Sequence, residues 1–220
     1  STSDFSRAAL HATVDAALSI ARFTAPDEAA GLPEADLLAR GEMDLDLHHP
    51  WPLPVEEAIE LARRCDVIVT CVTADADVLA LCADYARAGH AGLVVIDTST
   101  IASTSARRAA ALLREAGGDF IDAPVSGGVE GAKNGRLSVM AGGNAATLER
   151  VRAVLECFAA RITLMGDVGA GQDTKAVNQV LVAGIAQAVT EGLALGEALG
   201  LEADKLLPTL LAGAAQSWFL

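Results

Sequence analysis

From residue 55 onward the chain alternates between two hydrophobic rhythms. Short continuous apolar runs, Asp66-Val-Ile-Val-Thr-Cys-Val72 and Leu93-Val-Val-Ile96, read as strands buried on both faces. Helical spacing precedes the first run over 55–64 and separates the two over 75–87, where Gly89 closes the helix. A further helix runs to Glu115, with Ser103 or Ser105 as its cap. Asp119-Phe-Ile-Asp122 and Leu137-Ser-Val-Met-Ala141 read as two more strands, the second followed by Gly142-Gly143. A helix over 144–158 and a short strand over 161–165 complete the series. Strands that alternate with helices predict a largely parallel sheet, covered by helices on both faces.

After Gly166 the rhythm changes. A single helix is predicted over 172–199, roughly seven turns at the rise and pitch of an α-helix. Val177, Leu181 and Ile185 repeat along it at helical spacing, and Gly184, Gly192 and Gly196 are small enough for another helix to pack closely. A last helix is predicted over 202–212. The boundary falls near 166–171, so 1–166 form one domain and 167–220 begin a second, helical one. The first 54 residues follow neither rhythm. Residues 8–22 read as a helix, but no buried strand and no glycine-rich turn is found there, and His48 and His49 read as loop histidines.

Composition narrows the class. Of 220 residues, 52% are hydrophobic and 20% charged, which favours a packed core over disorder. The formal net charge of −13 argues against binding a phosphate backbone or an anionic membrane. The most apolar stretch, 176–201, is interrupted by Asn178, Gln179, Gln187, Glu191 and Glu197, so no bilayer-spanning segment is expected. The reading is a soluble, cytoplasmic protein. Cys65, Cys71, Cys82 and Cys157 form no CxxC pair and have no histidine at zinc-ligand spacing, so no metal site is expected.

Two motifs carry candidate chemistry. The first, Asp122-Ala-Pro-Val-Ser126-Gly127-Gly128, follows a strand; its glycines free backbone N–H groups to approach an anion, and Ser126 adds a hydroxyl. Asp122 itself is expected to fix the glycine turn by hydrogen bonds. The second is Gly169-Ala-Gly-Gln172-Asp-Thr-Lys175-Ala-Val-Asn178-Gln179. It places Lys175, one of only three lysines, on one helix face with two amides, a group suited to holding a small polar substrate and moving a proton.

Together these motifs resemble the β-hydroxyacid dehydrogenase family, which includes 3-hydroxyisobutyrate dehydrogenase, tartronate semialdehyde reductase and 6-phosphogluconate dehydrogenase. The resemblance runs from Pro54 to Leu220 and includes Ile96-Asp-Thr-Ser-Thr100-Ile, the Gly142-Gly143 turn and the Glu191…Gly200-Leu201 part of the long helix. It implies a Rossmann-type doubly wound, mainly parallel α/β sheet followed by an all-helical domain that looks truncated here. It implies NAD or NADP as cofactor, a small carboxylate as substrate, and a homo-oligomer, dimer or tetramer. By resemblance Lys175 is the general acid/base, Ser126, Gly127 and Gly128 hold the substrate carboxylate, and Asn178 and Gln179 bind its polar groups. Val72, Thr73 and Thr100 match the dinucleotide-contacting turns, although the family usually has Leu-Pro where Val72-Thr73 stands.

The implied activity is hydride transfer between a small 3-hydroxy acid and its semialdehyde or keto acid. Two departures keep a second reading open, that of a non-catalytic or fragmentary relative that cannot seat the dinucleotide. The family opens with strand, Gly-x-Gly-x-x-Gly and helix, and no such pattern precedes Pro54. The stretch has the right length but the wrong residues, which suggests a reading frame altered before Pro54 and then restored. Family members also continue past the equivalent of Leu220, so a fragment is expected.

Overall fold

A computed structural model describes residues 55–88 and 90–220. The expectations for residues 1–54, and for Gly89 as a helix terminator, lie outside the described residues. Contacts divide the chain into two compact units, one ending at Lys175 and the other comprising Ala176–Leu220.

The first unit begins with α1 (Val55–Arg64), β1 (Val67–Thr70), α2 (Asp75–Ala88), β2 (Val94–Asp97), α3 (Ser103–Glu115) and β3 (Asp119–Asp122). These strands pair in parallel in the order β1-β2-β3. Alternate residues face opposite sides of the sheet. Ile68, Val95 and Phe120 therefore meet α1, α2 and α3 through Ala58, Ala62, Leu81, Tyr85, Ala109 and Leu113. Val69, Val94, Ile96 and Ile121 pack on the other side with Leu148, Val151 and Leu155 of α5 (Ala145–Glu156). Burial on both faces explains why the strands read as continuous apolar runs.

The sheet is not parallel throughout. Beyond β3 the chain forms a two-residue strand, β4 (Val125–Ser126), and a short helix, α4 (Gly128–Lys133), neither of which the hydrophobic rhythm predicts. Strand β5 (Leu137–Gly142) runs antiparallel to both β3 and β4, pairing Asp122 with Gly142, Val125 with Val139 and Ser126 with Ser138. These pairs share one register, so β4 continues the ladder of β3 past Pro124, whose carbonyl accepts from Met140 N at 3.0 Å. Proline has no N–H to give the ladder, which is why the strand breaks there. Strand β6 (Ala159–Gly166) returns to parallel pairing along β5.

Helix capping also differs from expectation. Neither Ser103 nor Ser105 caps α3; Ala102 occupies the N-cap position without a side-chain bond. The Asp75 carboxylate at the start of α2 accepts from Ala102 N at 3.0 Å instead, and the Ser105 hydroxyl, with that backbone N–H, holds the Asp75 carboxyl below its usual range. A tertiary partner replaces the local cap. Asn144 caps α5 as a local signal should, its side chain accepting from Ala146 N at 2.9 Å and Thr147 N at 3.2 Å.

Helix α6 (Ala170–Ala198) follows β6, and its first residues belong to the sheet unit. Contrary to expectation, α6 is long and apolar enough to cross a bilayer by length and composition alone. In the second unit α7 (Ala203–Leu211) packs on α6 at Gly196, where a Cβ would lie 2.6 Å from Leu206 Cδ2. Gly184 and Gly192 have open space at the same position. Val177, Val180, Leu181, Leu195 and Leu199 are exposed, as are Glu191 and Glu197. Trp218 lies edge-on to Phe219 and is exposed.

Candidate active site

Strands β1, β2, β3 and β5 align Thr70, Asp97, Asp122 and Gly142 in one row across the sheet. Three of these residues end β1, β2 and β3, and the turns that leave them hold most of the residues the sequence singles out. Open parallel sheets bind their ligands outside this edge.

Asp97 organises the first two turns. It is fully buried, and its Oδ1 accepts from Thr70 Oγ1 at 2.9 Å and from Ser99 Oγ at 2.6 Å. Ser99 Oγ in turn accepts from Val72 N at 2.8 Å. The turn after β1 is thereby tied to the turn after β2, with Thr73 exposed on one and Thr100 on the other. Asp97 Oδ2 is buried without a hydrogen-bond partner among the described residues. Burial pushes the Asp97 carboxyl up to about 6, against the pull of the Ser99 and Thr70 hydroxyls.

Asp122 organises the third turn. Its side chain does not fix the adjacent Ser-Gly-Gly turn, as the sequence suggests, but reaches across to the start of α6. There Oδ1 accepts from Gly169 N at 2.7 Å and Oδ2 from Gln172 N at 3.0 Å. These are among the N–H groups that a helix cannot satisfy internally, and a carboxylate complements the helix dipole there. Burial raises the Asp122 carboxyl, while the backbone bonds oppose the rise. The approach requires glycine at 171, since a Cβ there would collide with Met140 O and lie 2.8 Å from both Asp122 O and Oδ2.

Lys175 projects from this anchored start. Its Nζ donates to Val125 O at 2.8 Å, and that carbonyl shares a peptide unit with Ser126 N. Partial burial lowers the Lys175 pKa through desolvation. The structure thus brings Lys175 to the head of the Ser126-Gly127-Gly128 turn. Gly127 and Gly128 have φ of +138° and +62°, in the region that favours glycine, and both are exposed. Asn178 and Gln179 belong to the second unit, where Asn178 Nδ2 donates to Gln179 Oε1 at 3.0 Å. No cluster of His, Cys, Asp or Glu with the makings of a metal site occurs among the described residues.

One residue joins these groups. Gln172 is 3% exposed. Its Nε2 donates to Ser99 O at 2.8 Å, and its Oε1 accepts from Ile101 N at 3.2 Å. In the sequence Asp97, Ser99 and Gln172 stand within the motifs with no local sign of this part. The available signal was no more than a polar residue at the end of each buried run and a glutamine directly after Gly171.

The turns at the carboxyl edge present exposed Thr73 and Thr100 over a buried, bonded framework, polar groups that could hold a cofactor. A doubly wound α/β sheet with its ligand-facing turns at this edge defines a Rossmann-type domain. The family described as the NAD-binding domain of 6-phosphogluconate dehydrogenase matches residues 46–166. The family described as NAD-binding of NADP-dependent 3-hydroxyisobutyrate dehydrogenase matches 169–220. The chain is 40% identical over 134 residues to the 2-hydroxy-3-oxopropionate reductase of Escherichia coli, covering 61% of this chain and 46% of the relative. It is 43% identical over 129 residues to an NAD-dependent L-serine dehydrogenase of Pseudomonas aeruginosa, covering 59% and 43%. A solved structure of Mycobacterium tuberculosis 3-hydroxyisobutyrate dehydrogenase with L-serine superposes with a TM-score of 0.72 and 32% identity, covering 95% of this chain and 69% of that one. The chain belongs to the β-hydroxyacid dehydrogenase family. It spans about half the length of the curated relatives it matches.

Proposed function

We propose that this chain is part of a soluble NAD(P)-dependent oxidoreductase that interconverts a small 3-hydroxy acid and its semialdehyde or keto acid, with Lys175 as general acid/base. The observation that carries this reading is the placement of the Lys175 amine, which is partly desolvated and bonded to the peptide that opens the Ser126-Gly127-Gly128 turn. A carboxylate held by that turn would bring its hydroxyl-bearing carbon within reach of the amine. The names of the relatives, a reductase of 2-hydroxy-3-oxopropionate and a dehydrogenase of L-serine, support a substrate of three-carbon size.

A nicotinamide cofactor, when bound, would supply or accept the hydride. In oxidation, neutral Lys175 accepts the proton of the substrate hydroxyl as hydride leaves the carbinol carbon. In reduction, the Lys175 ammonium protonates the nascent alkoxide. An unperturbed lysine is too basic for the first task near neutrality, and desolvation moves it in the required direction. Backbone N–H groups of Gly127 and Gly128 and the Ser126 hydroxyl orient the carboxylate. Asn178 and Gln179, which follow one turn later on the same helix, supply amides for the remaining polar groups. Val72, Thr73 and Thr100 hold the dinucleotide. The exposed apolar residues of α6 are read as surface that further protein covers in a homo-oligomer.

A second reading, a non-catalytic relative, is favoured by one observation: no Gly-x-Gly-x-x-Gly stands before Pro54 to seat a pyrophosphate. A fluorescence titration with NADH and then NADPH separates the two. Saturable binding of either, followed by turnover of L-serine or a semialdehyde, supports the enzyme. A folded chain that binds neither refutes the enzymatic reading for this chain.

A further inference from the structure

We propose that Gln172 is a positioning residue that locks the Ser99–Thr100 turn to the first turn of the lysine-bearing helix. The inference rests on the proposed function for its consequence, though not for its geometry. Gln172 uses all three of its hydrogen-bonding ties in different directions: Nε2 to Ser99 O, Oε1 from Ile101 N, and its own N–H to the Asp122 carboxylate. Its bonds reach partners distant in sequence on β3 and on the turn after β2, and Ser99 extends the chain of bonds to Asp97 and to Val72 N.

No backbone ladder is available to do this. The turn after β2 leaves Ser99 O and Ile101 N buried, and it is the Gln172 side chain, from the first turn of α6, that pairs with both. The buried glutamine serves as a peptide-shaped bridge, offering one donor and one acceptor at the right separation. An apolar side chain there would leave Ser99 O and Ile101 N buried and unpaired, at a cost that makes the turn let go. The functional weight follows from what the bridge joins. Thr100 belongs to the turn that holds the dinucleotide, and Lys175 moves the substrate proton. Their separation must be held to about half an ångström for reaction geometry to be kept.

The test compares the full chain with Gln172→Met, similar in shape without the bonds, and Gln172→Glu. Amide hydrogen exchange is followed at Ile101, with Val94, bonded to Asp66 O, as the sheet reference. In Gln172→Met the Ile101 amide should exchange about tenfold faster, the effect of one lost hydrogen bond, while Val94 is unchanged. In Gln172→Glu a carboxylate at pH 8 still accepts from Ile101 N but cannot donate to Ser99 O, so exchange at Ile101 should rise less than in Gln172→Met and return toward the original on lowering the pH to 5, where a protonated carboxyl donates to Ser99 O as the amide does. The original chain is measured at both pH values, because Asp97 and Asp122 lie beside the bridge. Unchanged exchange at Ile101, or an equal rise at Val94, overturns the proposal. So does a Gln172→Met chain whose Kd for NADH equals that of the original, since about tenfold weakening is expected. If the original chain binds neither NADH nor NADPH, the proposed function fails, while the exchange measurement still decides the role of Gln172.

Discussion

Gly171→Ala is the sharpest perturbation of the anchored helix. Gly171 lies within α6 and does not have a positive φ, so the question is space rather than backbone conformation. In an open helix interior, alanine is favoured over glycine by about 1 kcal/mol. Here the added Cβ meets Met140 O and two oxygens of Asp122, all closer than carbon and oxygen tolerate. To restore ordinary contacts the helix start must retreat by roughly half an ångström or more, overpacking that costs about 1–3 kcal/mol. The retreat also stretches the bonds from Gly169 N and Gln172 N to the Asp122 carboxylate, each worth about 1.5–3 kcal/mol as a bond to a charged group. After allowing for the propensity gain, the expected net loss is about 3–5 kcal/mol. Urea denaturation of both proteins at pH 7 measures it. The control is Gly192→Ala, in the same helix but with nothing within 4 Å of the new Cβ, where stability should hold or rise by up to about 1 kcal/mol. A Gly171→Ala chain within about 0.5 kcal/mol of the original would refute the claim that close packing onto Asp122 anchors this helix.

Other outcomes follow from the same geometry. Lys175→Ala should lower turnover by about a hundred- to ten-thousand-fold with circular dichroism unchanged, and near-normal turnover would sink its role. Because the Lys175 pKa is lowered, the oxidation rate should climb with pH through that lowered value and the reduction rate should fall through it. A pH–rate profile with its inflection above the ordinary lysine range would contradict this. The raised Asp97 pKa means the folded chain holds a proton that the unfolded chain has lost. The stability this confers is complete below the ordinary value of 3.8 and is lost as pH rises toward about 6. Asp97→Asn keeps the side-chain oxygen that Thr70 and Ser99 bond. Its unfolding midpoint should therefore vary less between pH 4 and pH 6 than that of the original chain, and parallel profiles would refute the assignment.

The elements legible in the sequence were those whose residues carry their own reason to form. Asp119–Asp122 and Val55–Arg64 were read to the residue because buried apolar runs and an amphipathic face need no distant partner to be recognised. Strand β4 was not legible. Two residues carry no period, and Val125–Ser126 pair with β5 only because β3 has already set the register. The cap of α3 was misread for a related reason: serines at a helix start are a local signal, while Asp75 answers from another helix. At the site, Lys175 and the Ser126-Gly127-Gly128 turn were visible as motifs. The carboxylates and the glutamine that hold them were not, since their partners lie far off in sequence.

The row Thr70, Asp97, Asp122 and Gly142 accounts for why these distant partners meet. Adjacent strands in register bring their terminal side chains together at one edge, directly above an apolar core that cannot supply hydrogen bonds. A carboxylate placed there must find its donors above the sheet, in the turns and helix starts that lie over it. Asp97 finds two hydroxyls and draws the turns of β1 and β2 together. Asp122 has room to turn toward α6 because its neighbour in register is glycine: a Cβ on Gly142 would lie 2.5 Å from Oδ1. Gly142, Gly171 and Asp122 thus form one device spread over three elements. Removing the space at either glycine should displace the same carboxylate and, through the helix it caps, the lysine.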